Sequence, residues 1–532
     1  MIWKIAKKEI LLNLMTFKFA VGTLVCVVLI AVFMPVLLSD YHRRLGEYNK
    51  KVAANEEELR KVKVYKNFTP TIFRRPEILS VFSEGLEKQL GDSVKIQLEN
   101  VPDISAASTE TNPFLSIFPT FDVSLILKIV MSILALLVAY DVISGERERG
   151  TLRLTMSSAV ARYHVLVGKL LAGLITLLIP LTVAFTLGLL ILLSFPMVDL
   201  TASDWVRIGL IYFASLIFLS AMYNFGMLFS CLTKKPAISL MFVLLFWVVF
   251  LIVIPNGSFY LASQLRPIGS QEKLDAEVNA LREEQKAEIR ELTKTFEEGG
   301  WERQDSRGRR GRNWYSQGAF GNSYIFMYNA IYIEAHGKYC ALTEPIRIRH
   351  ADEIWEMQKR YGNNNLIRQK HLADSIARSS PTVLYENLMS VLSGTDLGRF
   401  EEFSKRVKEY RNEVMEYIRS KTDNFSSPSY FTTCRDGDWE EYVKIGEPFD
   451  EARKAQNRAE MAKAQEVIEE WIEKKRQQAR SLGLDDFPHF VYSAGNLLNS
   501  VKRVIPDLAL LVFINLLLFA LSFVAFLRYD VR

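Results

Sequence analysis

One stretch of the chain concentrates the residues whose types and spacing could do chemistry. It covers positions 143–172 and reads ISGERERGTLRLTMSSAVARYHVLVGKLLA, so acidic and basic side chains alternate around two glycines. Gly145 and Gly150 allow tight bends, and Thr151 is placed to cap a helix. Charges presented on so compact a turn suit docking into a groove of a soluble partner. The alternative is an ordinary basic connection whose arginines only fix the side of the membrane on which it lies.

Four cysteines are present, and two of them indicate possible redox chemistry. Cys26 and Cys231 lie in or at the end of apolar stretches, where a small soft side chain is common. Cys340 and Cys434 lie in a long polar stretch that we expect outside the cytoplasm, where thiols can oxidise. A bridge closing about 95 residues would stabilise the fold by roughly 4–5 kcal/mol. We therefore predict a Cys340–Cys434 disulfide; two reduced, buried thiols are the alternative.

The chain carries no motif for nucleotide hydrolysis, so we predict that it is not an enzyme. A phosphate-binding GxxxxGK[ST] loop is absent: Gly168 and Lys169 are followed by Leu170. HExxH and GxSxG motifs are absent as well. The histidines lack metal-binding spacing, and we expect no metal site at any of them: His42, His164, His336, His350, His371 and His489.

The elements that must position the charged stretch are apolar helices. A membrane-spanning helix needs about 20 apolar residues, because the hydrocarbon core is about 30 Å thick. Only Lys128 is a candidate coupling charge within the apolar stretches, and its long stem could reach outward. The scarcity of such charges favours energy input from outside the spans. We predict the α class, with six transmembrane helices at residues 18–40, 122–141, 170–198, 208–233, 238–255 and 508–527.

The distribution of Lys and Arg predicts the orientation of these spans. Lys and Arg gather in the short flanks that fall on one side if there are six spans. The opposite short loop, PMVDLTASDW, has neither before Arg207. Both termini of this multi-pass protein are therefore predicted to be cytoplasmic. Residues 1–17 are predicted to form an amphipathic helix on the membrane surface, with one apolar face made by Ile2, Ile5, Ile10 and Leu14.

Two polar segments then lie outside the cytoplasm, and we expect them to pack together. The first, residues 39–122, begins as a charged helix that extends the first span. The second, residues 256–505, is predicted to be a large, mainly helical extracytoplasmic domain. The apolar face of one of its helices consists of Leu274, Val278, Leu281, Ile289 and Leu292.

Further patterns complete this division of the chain. Helical periodicity recurs in two further stretches, YENLMSVLSGTDLGRFEEFSKRVKEYRNEVMEYIRSK and DEARKAQNRAEMAKAQEVIEEWIEKKRQQARSL. A flexible basic loop is predicted at GGWERQDSRGRRGRNW. The remaining units are residues 1–38, with the surface helix and first span; 123–255, with four spans and a cytoplasmic loop at 144–163; and 506–532, with the sixth span and a tail.

The charge balance gives no reason to expect nucleic acid as a partner, and the hydropathy pattern excludes a uniform globular enzyme. The formal charge is +5, from 65 Lys and Arg against 60 Asp and Glu, which gives no support for nucleic-acid binding. Hydrophobic residues make up 49% of the chain but are bunched, and most charges lie in residues 266–505. A uniform globular enzyme is thus excluded, and membrane lipid is an expected partner.

The run GERERGTLRLTMSSAVARYHVLVGKLLAGL resembles the loop between the second and third spans of type 2 ABC transporter permeases. The family pattern is Glu-x-Glu-x-Gly-Thr, a Ser-Pro-like turn with Arg, and then Gly-Lys. The turn differs here, because Ser158 is followed by Ala159. The order of parts is also similar over residues 1–255 and the last span. The matching residues are Glu146, Glu148, Gly150, Thr151, Ser157, Arg162, Gly168 and Lys169.

The insertion before the last span resembles, more loosely, that of a subgroup of these permeases with a large helical domain. The similar stretch is RQKHLADSIARSSPTVLYENLMSVLSGTDLGRFEEFSKRVKEYRNEV. Within it, Ser380 and Pro381 are predicted to start a helix, and the sequence from Ser393 to Thr395 to end it.

The resemblance implies a membrane half-transporter that forms a homodimer or heterodimer with a second permease chain and binds a separate cytoplasmic ABC ATPase. ATP and Mg²⁺ are then expected on that ATPase, with no cofactor in this chain. By analogy, it is an exporter of the prokaryotic cytoplasmic (inner) membrane. The implied ATPase-coupling residues are Glu146, Arg147, Glu148, Gly150, Thr151, Arg153, Ser157 and Arg162.

Two other functions remain open from the sequence. In one, the ATPase partner drives conformational work on an extracytoplasmic partner, so the chain is part of a mechanotransmission assembly. In the other, the chain is a membrane-anchored receptor with a ligand-binding ectodomain and no nucleotide-dependent partner.

Overall fold

The computed structural model describes residues 2–88, 91–98, 121–152, 156, 161–195, 198–267, 271–298, 330–358, 364–433, 437–492 and 497–528. Helices dominate these residues, which confirms the predicted α class. The described residues contain one small antiparallel sheet, in which Thr71–Phe73 pairs with Ser93–Lys95 and Ile72 lies opposite Val94.

Six helices in the described part of the chain are long and apolar enough to cross a membrane, as predicted. Many of their apolar side chains are exposed, which fits a surface that contacts lipid. Their bounds are Phe17–Arg60, Val123–Glu148, Arg162–Ser194, Ala202–Leu232, Pro236–Leu265 and Leu497–Leu527.

Two of these spans are interrupted by π turns, at Leu127–Met131 and Val249–Val253. The second span therefore consists of Val123–Ile126, the first π turn, Ser132–Ala139 and Ser144–Glu148. The fifth consists of Pro236–Val248, the second π turn and Ile254–Leu265.

The other helices are shorter or more polar. Short 3₁₀ turns form at Tyr65–Asn67 and Ile78–Val81. The remaining helices are Ile2–Leu14, Gln271–Glu298, Ala330–Gln358, Asn364–Ala377, Pro381–Ser393, Leu397–Lys421, Pro428–Phe431, Asp438–Lys454 and Arg458–Gln478.

The helical spans are longer than the apolar stretches predicted. The third begins at Arg162 instead of residue 170, so the basic residues before it are helical. The sixth begins at Leu497 instead of residue 508, because its first turns carry charges that pair with the insertion. The fifth continues past Pro255, which lies in the first turn after the π turn, where a missing backbone N–H is tolerated.

The first span continues as one helix far beyond its apolar part, as predicted. Phe17–Arg60 has 44 residues, and Thr16 caps its start by accepting a hydrogen bond from the Phe19 amide. Its charged half is held by ion pairs of Asp40 with Arg44 and Lys88, both at 3.1 Å. The buried side chains recur every three to four residues along one face: Cys26, Ile30, Met34, Leu38, Tyr41 and Leu45.

A helix of the insertion, Pro381–Ser393, packs among the spans, and we call it the inserted helix. It contacts the fourth and sixth spans, and its apolar side chains belong to the same hydrophobic core as theirs. Tyr385 is fully buried, stacks on Phe218 with ring centroids 4.4 Å apart, and lies 3.0 Å from the Ser215 hydroxyl.

The start of the inserted helix is bonded to the π turn of the fifth span. Ser380 and Thr382 both donate hydrogen bonds to the carbonyl oxygen of Phe250, at 2.8 and 2.7 Å. A π turn displaces carbonyl groups from their usual partners, so the two hydroxyl groups satisfy one of them. The helix ends at Gly394, whose φ of +74° is left-handed, as the sequence predicts.

The two polar segments pack together around a second hydrophobic core, as predicted. The first segment contributes residues such as Phe68, Ile72 and Val94, and the insertion contributes Phe403 and Tyr410. Phe68 meets Phe487 edge to face, with ring centroids 4.6 Å apart. We call the described parts of residues 61–98, 271–358 and 397–492 the polar domain.

Ion pairs tie the polar regions to the spans. Lys128 is only 12% exposed and bonds to Glu386 of the inserted helix at 2.7 Å. The side chain of this lysine was predicted to extend outward, and its ammonium group pairs with a carboxylate of the same chain. On the sixth span, Asp507 pairs with Arg378 at 2.7 Å and Arg503 pairs with Asp396 at 2.8 Å.

The structure has helices where periodicity is predicted after residue 450. They are two, Asp438–Lys454 and Arg458–Gln478. Gln456 adopts a left-handed φ of +55°, and the Asn457 side chain caps the second helix. The predicted flexible loop GGWERQDSRGRRGRNW lies outside the described residues.

Candidate functional site

The charged stretch that leads from the second span to the third begins with the short helix Ser144–Glu148, which is the last part of the second span and lies against the bases of the other spans. The fourth span fixes its start, because the Ser230 hydroxyl accepts hydrogen bonds from the amides of Ile143 and Ser144 at 2.9 and 3.0 Å. Ser230 is fully buried, so these bonds are shielded from water. The stretch is therefore a fixed surface of the bundle.

The two glutamates of the stretch have different environments. Glu146 is 16% exposed and bonds to Lys169 of the third span at 3.0 Å. Glu148, two residues later, is exposed. One carboxylate thus holds the loop to the bundle, while the other is presented to whatever contacts this face.

Lys169 lies at the centre of this site. Its side chain is 2% exposed and pairs with Glu9 at 2.7 Å as well as with Glu146. A buried ammonium group needs paired carboxylates to compensate for lost hydration, and it has two here. Through this one side chain, the surface helix, the loop and the third span are joined.

The surface helix Ile2–Leu14 packs closely on the third span. An added Cβ at Gly168 would come within 3.1 Å of the Ile5 side chain and 3.2 Å of the Ile2 carbonyl oxygen. Glycine at this position therefore permits the close approach that brings Glu9 to Lys169. Tyr223 of the fourth span donates a hydrogen bond from its hydroxyl to the Lys169 carbonyl oxygen at 2.9 Å.

A second ion pair joins the first two spans on the same side. Lys18, at the start of the first span, bonds to Asp141 at 3.0 Å and to the Tyr140 hydroxyl at 2.5 Å. Both partners immediately follow the helix Ser132–Ala139. The loop region therefore contacts the bases of the first four spans.

The arginines of the stretch bond to backbone carbonyl groups. Arg147 donates to Thr233 at 3.2 Å, and Arg149 donates to Gly145 at 3.1 Å. Arg162 donates to Leu527 at the end of the sixth span, at 2.5 Å. The bonds of Arg147 and Arg162 satisfy carbonyl groups at the carboxyl ends of the fourth and sixth spans, where cations are also favoured by the helix dipole.

The structure places most, but not all, of the predicted coupling residues. Gly150 has a left-handed φ of +75°, and the Thr151 hydroxyl donates to the Glu146 carbonyl oxygen at 3.3 Å. Arg153 and Ser157 lie outside the described residues. So does Cys434, and the disulfide with the buried Cys340 therefore stays a prediction. No group of His, Cys, Asp and Glu that could hold a metal ion occurs among the residues described.

Sequence reasoning missed Glu9, Ser230 and the Lys18–Asp141 pair. Glu9 gave one signal, since it is the single acidic residue in a surface helix with three lysines. Its partner is 160 residues away in the chain. Contacts at such separation follow from how the spans pack and leave no local pattern.

Comparisons with known families agree with this architecture. A family model described as ABC-2 family transporter protein matches residues 3–404, which is most of the chain. A second, described as a domain of unknown function (DUF3526), matches residues 346–492 in the insertion. No curated protein matches the chain.

Proposed function

Because the chain belongs to the ABC-2 family of transporter proteins, we propose that it is the permease subunit of an ATP-driven exporter. It dimerises with a second permease chain and takes its energy from separate cytoplasmic ATPase subunits, which bind ATP and Mg²⁺. The protein lies in a prokaryotic cytoplasmic membrane with both termini in the cytoplasm.

The observation that carries this proposal is the buried Lys169 with its two carboxylates. Glu9 lies on the surface helix and Glu146 on the loop, so a push on either element is passed to the third span through a short, buried ion pair. The Ser230 bonds give the same loop a direct connection to the fourth span. A site of this kind suits transmission of force from a soluble motor.

The face that the loop presents fits a docking surface for an ATPase. Glu148 and Arg149 are exposed next to the left-handed turn at Gly150. The phosphate-binding loop that nucleotide hydrolysis requires is absent from the sequence, so hydrolysis belongs to the partner.

The test is whether Glu148 is needed for ATPase coupling. We expect Glu148→Arg to reduce copurification of the cytoplasmic ATPase, and ATP hydrolysis in the purified complex, by about tenfold, since a single charged contact at a docking surface is worth about 1.4 kcal/mol. Glu466→Arg, a matched change of an exposed glutamate in the helix Arg458–Gln478, is the control. Equal ATPase recovery and activity in both variants would contradict the docking role.

One observation favours a second function, in which the ATPase drives conformational work on an extracytoplasmic partner. The inserted helix is packed between spans and bonded to the fifth span at Phe250, so movements of the spans reach the polar domain through a rigid element. A mechanotransmission assembly needs this link and no transported cargo. ATP-dependent change in protease sensitivity of the polar domain, without uptake or release of any solute in vesicles, would select it.

A further inference from the structure

The polar domain contains a groove of about 1020 Å³ that plays no part in the coupling site. Its walls come from the helices Gln271–Glu298, Ala330–Gln358 and Leu397–Lys421, with Phe425 beyond the last of these. Sites for small molecules usually enclose about 300–1,000 Å³, so the groove is at the upper end of that range.

The inner surface of the groove is mainly apolar. Leu281 and Ile348 line it from two helices, and Met357, Met415 and Phe425 complete the surface. Met415 and Phe425 are buried, at 8% and 2% exposure, so they form a fixed floor. Methionine side chains are unbranched and polarisable, which lets such a surface adapt to the shape of a flat or aliphatic ligand.

The charges that line the groove are unbalanced. It has three cationic side chains, Arg349, Lys408 and Arg419, against five carboxylates. One carboxylate, Asp352, is paired with the buried Arg411 outside the lining at 2.7 Å, and the carboxylates still outnumber the cations. The carboxylates come from all three helices: Glu277, Asp352, Glu353, Glu356 and Glu416.

Two of the cations already have carboxylate partners. Arg349 bonds to Glu288, which lies outside the groove lining, at 2.5 Å, and its Nε lies at a longer 3.9 Å from Glu353. Lys408 bonds to Glu356 at 2.8 Å, with its ammonium group 3.8 Å from the centre of the Trp355 ring. The protein's own carboxylates already pair with these cations, so few positive charges are left to attract an anionic ligand. The excess of carboxylates gives a field that favours a cationic ligand.

We propose that this groove binds a small amphiphilic organic cation. The apolar body of the ligand lies on the methionine and phenylalanine floor, and its positive charge lies between Glu353 on one wall and Glu416 on another. The volume fits a molecule of drug size, whose burial supplies affinity while the two exposed carboxylates select the sign of its charge.

Two dyes with the same xanthene ring system and opposite charge test this proposal. The full-length protein, in nanodiscs of zwitterionic phosphatidylcholine, is titrated with tetramethylrhodamine methyl ester, a cation, and with fluorescein, an anion. Fluorescence anisotropy is read against empty nanodiscs. We expect saturable binding of the cation, with at least tenfold weaker binding of the anion.

Matched variants locate the site. Glu353→Gln combined with Glu416→Gln should weaken cation binding about tenfold, since each carboxylate contributes a few-fold at an exposed position. Leu281→Trp, which fills the groove from another helix, should also weaken it. Glu469→Gln combined with Glu470→Gln, on the helix Arg458–Gln478, removes the same charge outside the groove and should leave binding unchanged.

Equal cation binding in the wild type and both groove variants would overturn the proposal, as would tighter binding of fluorescein than of the cation. Unchanged unfolding temperatures of the glutamine variants would show that the loss comes from the groove. The measurement needs no ATPase, so its outcome is separate from that of the Glu148 experiment.

Discussion

At the scale of single residues, buried charge fixes how the loop between the second and third spans is held against the helices. Lys169 is the clearest case, because it is nearly inaccessible to water and joins two elements that are distant in the sequence. A buried ion pair contributes little stability relative to apolar packing, but breaking it leaves an uncompensated charge. Such a group therefore enforces one arrangement of surface helix and loop.

We predict that Lys169→Met destabilises the protein by about 3 kcal/mol, because Glu9 and Glu146, at only 13% and 16% exposure, would lose their cation. The unfolding temperature of the detergent-solubilised chain measures this. Lys169→Met with Glu9→Gln and Glu146→Gln should recover most of the loss. Lys234→Met, which removes an exposed lysine, is the control. A triple variant as unstable as the single one would show that packing, not charge, is at fault.

A histidine of the polar domain is predicted to make it sensitive to acid. Burial, together with the nearby positive charges of Lys66 and Arg347, lowers the pKa of His336 from its ordinary 6.5 to about 3. The folded state therefore favours neutral His336. The stability this gives is present above pH 6.5 and is lost as the pH falls towards 3, by about 1.4 kcal/mol per pH unit.

The His336→Gln variant should accordingly lose less stability than the wild type between about pH 7.5 and pH 5.5. The check is the unfolding temperature of both proteins across this pH range. The carboxylates are the same in both, so their contributions cancel when the two curves are subtracted. His371→Gln, at an exposed position, should follow the wild type. Parallel curves for the wild type and His336→Gln would disprove the assignment.

At the scale of elements, the inserted helix matters most, because it is a short helix of the insertion that is buried among the spans. Buried apolar side chains lie on most sides of this helix. Leu384, Tyr385, Leu388, Met389 and Leu392 are each at most 1% exposed. A helix that is apolar on most sides must be enclosed by others.

The hydrogen bond that joins this helix to the fourth span can be tested by a double-mutant cycle. Tyr385→Phe and Ser215→Ala should each lower the free energy of unfolding by about 1 kcal/mol. The Ser215 hydroxyl also donates to the Ile211 carbonyl oxygen, so the double variant should lose no more than Ser215→Ala alone. Tyr163→Phe, at an exposed tyrosine, should have no effect. Additive losses would mean that the two hydroxyl groups bond independently.

The sequence predicts these elements better than their contacts. Six apolar stretches, the start of the inserted helix at Ser380 and its end at Gly394 follow from local residue types, and the structure agrees. The burial of that helix was not predicted, because 13 residues are too few to read as a span. The polar partners of Lys169 and Lys128 were missed since each depends on how helices meet.

At the scale of the whole molecule, charged contacts and the inserted helix join the apolar spans to the insertion. Lys128–Glu386, Arg378–Asp507 and Arg503–Asp396 connect the second and sixth spans to the insertion. The site at Lys169 lies at the opposite ends of these spans along the chain. We therefore propose that the two regions face different compartments.

We predict that cysteines placed in the two regions are labelled from opposite sides. In a chain without native cysteines, Lys444→Cys in the polar domain should react with a membrane-impermeant maleimide in intact spheroplasts. Lys234→Cys, between the fourth and fifth spans, should react only after permeabilisation. Both positions are exposed, so full labelling in detergent is the control. The reverse pattern would overturn the proposed orientation.

The uninterrupted helix Phe17–Arg60 has a mechanical consequence. At 1.5 Å per residue, its 44 residues measure about 66 Å. A tilt of about 5° at its base, where Lys18 meets Asp141, would move the far end by about 6 Å. The helix can thus act as a lever arm. A small rotation at its base would move its far end by a distance larger than a typical contact between atoms.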